Sequence, residues 1–207
     1  MAIGSPDKTA RLEQLRDWTR AQVWSGFRSD DEVRTDVLDA VRAEVKDRAE
    51  AERLADEYVA DAQARHREAA ATWPHRTDVD RFEDAVTELE GAGVVVLQAV
   101  EDHWAANDEL RNRTEVGLQP RGIAWFTHSD VWHAVEHGML EVNLWHGDSA
   151  NVAEGEDLLD FVVETLERHR LPAHFDEGRI EVTMHWQCRP GSGRPGPVDA
   201  DGGGGIS

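Results

Sequence analysis

Apolar residues recur at helical spacing through the first part of the chain. Between Thr9 and Trp24, Leu12, Leu15, Trp18, Thr19 and Val23 fall on one side with charges between them, and Gly26 supplies a stop. Ser29 followed by Glu32 has the form of a capping box, in which hydroxyl and carboxylate satisfy backbone N–H groups of a new first turn. It opens a helix whose apolar face is Val33, Val37, Leu38, Val41 and Val45. A third helix is expected over 49–71, with Leu54, Ala55, Tyr58, Val59 and Ala62 on one side. Trp73-Pro74 ends this run, because proline disfavours the helical conformation of the residue before it. Thr77 or Asp78 then caps a fourth helix burying Val79, Phe82, Ala85, Val86 and Leu89, and Gly91 and Gly93 close it.

From there the period changes. Val94-Val95-Val96-Leu97 is short, β-branched and bounded by glycine, which predicts a buried strand. The composition between Glu101 and Arg113 is helical with a thin apolar pattern. The stretch from Arg121 to Gly147 organises the rest and reads as strand, short helix, strand. Gly122 to Thr127 is apolar, Ser129 or Asp130 caps a two-turn helix through His137, and Gly138 terminates it. Leu140, Val142 and Leu144 then alternate with Glu141, Asn143 and Trp145, as in a strand with one buried face. Beyond an acidic loop, Leu158, Leu159, Phe161, Val162, Val163 and Leu166 line a helix ending near Arg170. Pro172 and the turn Asp176-Glu177-Gly178 lead into a strand from Arg179 to Gln187, in which Ile180, Val182, Met184 and Trp186 alternate with polar residues, and a short strand can precede it.

The order of elements predicts an α+β fold: N-terminal helices, then a four- or five-stranded sheet with helices packed on it. A ferredoxin-like split βαβ arrangement fits the second half. One domain is expected over 1–188, with a helical part over 9–71 and a helix-and-sheet part over 77–188. Residues 189–207 are rich in Gly, Pro, Ser and Asp, with nothing to build a core, and are expected to be a disordered tail.

Charge narrows the function classes. Of 207 residues, 42 are acids and 22 bases, a net charge of −20. Such a chain is repelled by nucleic-acid phosphates and anionic lipid. The plain reading of that charge is solubility, and the sharper one is a basic partner or substrate. No run approaches the roughly 18 apolar residues of a membrane span, and the first residues lack the basic and apolar regions of a signal peptide. A cytoplasmic location is expected. The single cysteine, Cys188, excludes an internal disulfide framework and a thiolate zinc cluster.

Candidate chemistry concentrates in the organising stretch. His133-Ala134-Val135-Glu136-His137 is an H-x-x-E-H sequence, the spacing that puts two imidazoles on one helix face to bind zinc, with the glutamate as base. Against it stand the short helix and the lack of any spacing signature for a third ligand. In a looser arrangement, His128 and His146 would join His133 or His137 in a metal or pH-responsive site. Solvent-facing imidazoles beside core residues Val131, Trp132 and Val135 are the bland alternative. The acidic loop from Asp148 to Asp157 lacks the ligand spacing of a calcium loop. Gly191 to Gly196 fits G-x-G-x-x-G in letters only, since no helix follows it. Trp145 falls on the polar face of its strand. Tryptophan there is either an interaction anchor or is covered by helices on that face.

Trp24-Ser25-Gly26-Phe27, Thr77 to Phe82, Gly91-Ala92-Gly93-Val94, Arg121-Gly122, Gly178-Arg179-Ile180, Trp186 and Arg189 together resemble an uncharacterised bacterial family described as a domain of unknown function. The resemblance runs over nearly the whole chain to Arg189. It implies one domain, a bacterial cytoplasmic setting and a cysteine-rich segment after the strand at Val94 to Gln98. That place here reads AVEDHWAANDELRNR, without cysteine, so thiol-based metal or redox chemistry is not expected of this chain. The resemblance implies no activity.

The reading favoured by these observations is non-enzymatic: an acidic interaction or regulatory module, immunity-like or adaptor, without a cofactor. It would bind a basic protein through a surface near Trp145, Asp148 and Glu154. The alternative is a zinc-dependent hydrolase using His133, Glu136 and His137.

Overall fold

In a computed structural model that describes residues 7–192, three helices form first: α1 (Lys8–Ser25), α2 (Asp30–Glu44) and α3 (Arg48–Ala70). Gly26 ends α1 in the left-handed conformation. The expected capping box is present at α2, where Ser29 accepts from the Glu32 N–H and Glu32 from the Ser29 N–H. The α2 stripe Val33, Val37, Val41 and Val45 packs with Ala51, Ala55, Tyr58 and Val59 of α3, and Leu12, Leu15 and Trp18 of α1 lie against them. Two alanines on α3 keep the interface narrow. The exposed faces carry ion pairs such as Arg53 with Glu50 at 2.8 Å and Glu57 at 2.9 Å, which water screens so that they add little to stability.

The described residues divide into two compact units, 7–73 with 188–192, and 74–187. The helical unit therefore includes a short piece from far along the chain. His66, buried on α3, donates from Nε2 to the Cys188 carbonyl at 2.8 Å, and its ring lies between Trp24 and Trp73. Burial holds the His66 pKa below its ordinary value of 6.5. Residues 189–192 form a turn, with Ser192 N–H donating to the Arg189 carbonyl at 3.2 Å. The rest of the expected tail, 193–207, lies outside the described residues.

The second unit holds α4 (Asp78–Gly91), β1 (Val94–Val100), α5 (His103–Glu115), β2 (Gly122–Thr127), α6 (His128–His137), β3 (Met139–His146), α7 (Asp157–Arg168), β4 (Ala173–Asp176) and β5 (Arg179–Thr183). The strands form one sheet in the order β1-β2-β3-β5-β4. Only β1 and β2 are parallel, and α5 supplies the crossover that a parallel pair needs. This is the expected α+β fold with five strands. The ferredoxin-like arrangement is corrected: there a later strand separates the two parallel strands of the βαβ unit, whereas β1 and β2 here pair directly, Val94 opposite Gly122. The β4–β5 hairpin turns at Glu177 and Gly178, both at positive φ (44° and 90°), as the primed two-residue turns demand.

β5 ends earlier than its alternation suggests. Met184, Trp186 and Cys188 remain buried in alternation, but after Thr183 the backbone donors leave the sheet. Met184 N–H goes to the Gly138 carbonyl at 3.0 Å and Trp186 N–H to Ala134 at 3.3 Å, so this segment satisfies the carboxyl end of α6. Trp186 meets Phe82 and Phe126 in a cluster of tilted and edge-on rings. In another cluster, Val95, Ile123 and Trp125 pack with Ala106 and Leu110 of α5, and each fully buried side chain of Val or Ile size contributes about 1.5–3 kcal/mol.

Candidate functional site

The register places the starts of β1 and β2 and the end of β3 together, since Val94 lies opposite Gly122 and Gly122 opposite His146. The helix α6, between the end of β2 and the start of β3, stands at the other end of the sheet. The candidate chemistry is divided between these two ends.

α6 begins with a capping box of Thr127 and Asp130, in which Thr127 N–H donates to Asp130 Oδ2 at 2.7 Å. The cap therefore sits on the last strand residue rather than on Ser129 or Asp130, because Asp130 at the third helical position can reach back only to Thr127. After ten helical residues Gly138 closes the helix at φ 73°. His133 and His137 meet as the spacing requires, ring centroids 4.8 Å apart and edge-on; His133 is half-buried, while Glu136 and His137 are exposed. Among the described residues no three His, Cys, Asp or Glu side chains converge into a set that could hold a metal ion. A histidine with no motif signal, His185, is the nearest neighbour of the helix end: a Cβ on Gly138 would lie 2.6 Å from its ring. His185 N–H donates to Asp78 Oδ2 at 3.1 Å, and Asp78 also pairs with Arg81. His146, expected in the looser arrangement to join His133 or His137, lies at the far end of the eight-residue β3, roughly 25 Å of strand away.

At the opposite end the loop 147–156 is tied at both of its roots. His146 N–H donates to the Ala150 carbonyl at 2.8 Å, and Ser149 N–H returns to the His146 carbonyl at 2.9 Å. The His146 ring donates from Nε2 to Glu156 Oε2 at 2.8 Å, and the same oxygen accepts the Ala153 N–H at 2.9 Å. The Ala153 N–H first, and His146 second, hold the Glu156 carboxyl below its ordinary value of 4.5. Asp148 accepts from Ala150 N–H at 3.1 Å, a bridge joins Trp145 to Asn151, and Val152 is buried as the loop's apolar pin. At Gly147 a Cβ would stand 2.0 Å from the Pro120 carbonyl oxygen, so the loop presses on the segment leading into β2.

The expected surface residues separate here. Asp148 and Glu154 are exposed on the loop, as is Asp157 at the start of α7. Trp145 is half-buried and packs edge-on against Trp125 at 5.5 Å, so it supports the loop from beneath. The buried Trp125 indole N–H has no hydrogen-bond partner among the described residues, a cost of about 1–3 kcal/mol. Among the described residues the strongly exposed large apolar side chains are Trp104, Val116 and Leu118. The only sequence signal for the last two is that they follow α5 where no further element needs them.

A family model matches residues 8–190. The chain belongs to DUF6891, a domain of unknown function. The match spans all seven helices and all five strands of the described residues, so this α+β fold is that of the DUF6891 region as a whole. No curated protein and no solved structure matches the chain. Among the described residues no helix of this DUF6891 member is long and apolar enough to cross a membrane.

Proposed function

We propose that this protein acts by binding, as an acidic interaction or regulatory module whose partner is a basic protein, and that the partner engages the loop 147–156. The supporting observation is the way that loop is built. His146, Glu156 and Gly147 tie it in place, and its exposed side chains include two acids, Asp148 and Glu154, with a third, Asp157, next to it at the start of α7. A fixed loop loses little conformational freedom on binding, which favours affinity. Carboxylates on a chain of net charge −20 steer a cationic partner toward it. Trp145 is the loop's support rather than its contact surface.

The test uses a fluorescent peptide of lysine and serine, titrated into the full chain at low and high salt. Asp148→Asn with Glu154→Gln should weaken binding several-fold at low salt. The control pair Glu13→Gln with Glu68→Gln, exposed on α1 and α3, removes the same charge and should change little. Equal losses for the two pairs would reduce the interaction to net charge and remove the loop from it.

A further inference from the structure

From the carboxyl end of α5 the chain runs through 116–121 into β2, at the end of the sheet that carries the acidic loop. The last turn of α5 is closed by a Schellman motif: Leu118 N–H donates to the Arg113 carbonyl at 2.9 Å and Gly117 N–H to Thr114 at 3.0 Å, with Gly117 left-handed at φ 78°. In that motif the residue in Leu118's place commonly folds back onto the helix. Here it does not. Leu118 is 56% exposed and Val116 71% exposed. Two residues further on, the Pro120 carbonyl is the group that Gly147 approaches. The apolar pair and the acidic loop thus belong to the same end of the sheet, and Glu115 adds another exposed carboxylate at the end of α5. The nearby cation Arg121 is engaged, its guanidinium 4.4 Å over the Phe161 ring and its Nη2 donating to the Asp157 carbonyl at 3.2 Å.

Bare apolar side chains on a hydrogen-bonded turn, at the same end of the sheet as the exposed carboxylates of the loop, specify their counterpart. We infer that this end of the sheet docks an amphipathic basic segment of a protein partner, with apolar side chains on Val116 and Leu118 and lysines or arginines on Asp148 and Glu154. The inference rests on the binding reading above and adds the partner's apolar face to it. Charge excludes the other occupants. A second copy would bring two acidic patches together, and an anionic membrane would repel them.

Two labelled peptides separate the claims, one of arginines with leucines at helical spacing and one with every leucine replaced by serine, each titrated into the full chain by fluorescence anisotropy. The leucine peptide should bind about tenfold tighter, close to 1.4 kcal/mol. That advantage should disappear in Val116→Ser with Leu118→Ser, two exposed positions whose replacement leaves the thermal midpoint in place. Asp148→Asn with Glu154→Gln should weaken both peptides. Equal binding of the two peptides overturns the inference while leaving the charge reading intact, and binding of neither removes both. An advantage that survives the double serine variant places the apolar contact elsewhere and overturns it. So does a wild-type dimer in sedimentation that the same variant dissociates, which would assign the patch to a second copy.

Discussion

The two ends of the sheet carry the same residue types and differ in what those residues are tied to. At the α6 end, His133, Glu136 and His137 share a helix face because of their spacing, and the two rings touch. At the other end, His146 and Glu156 are ten residues apart, yet the imidazole and a backbone N–H converge on one carboxylate oxygen. The first cluster follows from helical geometry alone, and any sequence with that spacing would form it. The second exists only because β3, the loop and the start of α7 fold together. Long-range ties of this second kind are the better guide to where a protein has invested in shape.

The comparison is broken most severely at its glycines. Gly147→Ala should destabilise the second unit by about 3 kcal/mol or more, because the new methyl meets backbone, the Pro120 carbonyl, which has no freedom to rotate away. Denaturant unfolding followed by tryptophan fluorescence measures it. Gly138→Ala, at the α6 end, should cost less, about 1–2 kcal/mol: the left-handed backbone is strained by a side chain, but the atom in the way belongs to the His185 ring, which can turn. A larger loss at Gly138 than at Gly147 would reverse the assignment of rigidity between the two ends.

Acid sharpens the contrast. The folded Glu156 pKa lies below its unfolded value, so its contribution is full above about pH 5 and is lost as pH falls through the lower folded value. The thermal midpoint of Glu156→Gln should therefore lie below wild type near neutrality and meet it in acid, and a gap of constant size down to about pH 3 would show that the carboxylate charge is not what ties the loop. The smallest effect is expected at the helix. His133→Ala and His137→Ala should each change stability by less than about 0.5 kcal/mol, since His133 is half-buried and His137 exposed. A chelator should leave the wild-type midpoint where it is, and a fall of several degrees that both alanine variants abolish would restore the zinc reading.

Much of the fold was legible because its signals are local. Ser29 with Glu32 announces its helix within four residues and that box forms; of the two caps offered for the fourth helix, Thr77 is the one used, with Asp80 completing a box. The thin pattern after Glu101 is a helix because Asp102 accepts the Trp104 N–H and starts it, and only Ala106 and Leu110 need burial. Errors arose where one residue serves two elements. Thr127 is both the last residue of β2 and the cap of α6, and the stretch after Thr183 alternates like a strand while its N–H groups close a helix. The candidate site was less legible for the same reason. The acids Asp148 and Glu154 could be read from composition, but the bond from His146 to Glu156 and the approach of Gly147 to Pro120 join distant positions and leave no periodic trace. Alternation put Trp145 on the polar side of its strand and left open whether a helix covers that side; Trp145 packs against the cluster that includes Ala106 and Leu110 of α5.

The hydrogen bond from His66 to the Cys188 carbonyl bears on how the chain is made. A ribosome delivers α1, α2 and α3 long before Cys188, so the indole-flanked imidazole waits without its acceptor until the last strand has been synthesised. Completion of the earliest helices is thereby coupled to the arrival of the latest residues, and a product cut short at Gln187 would leave that buried nitrogen with nothing to donate to.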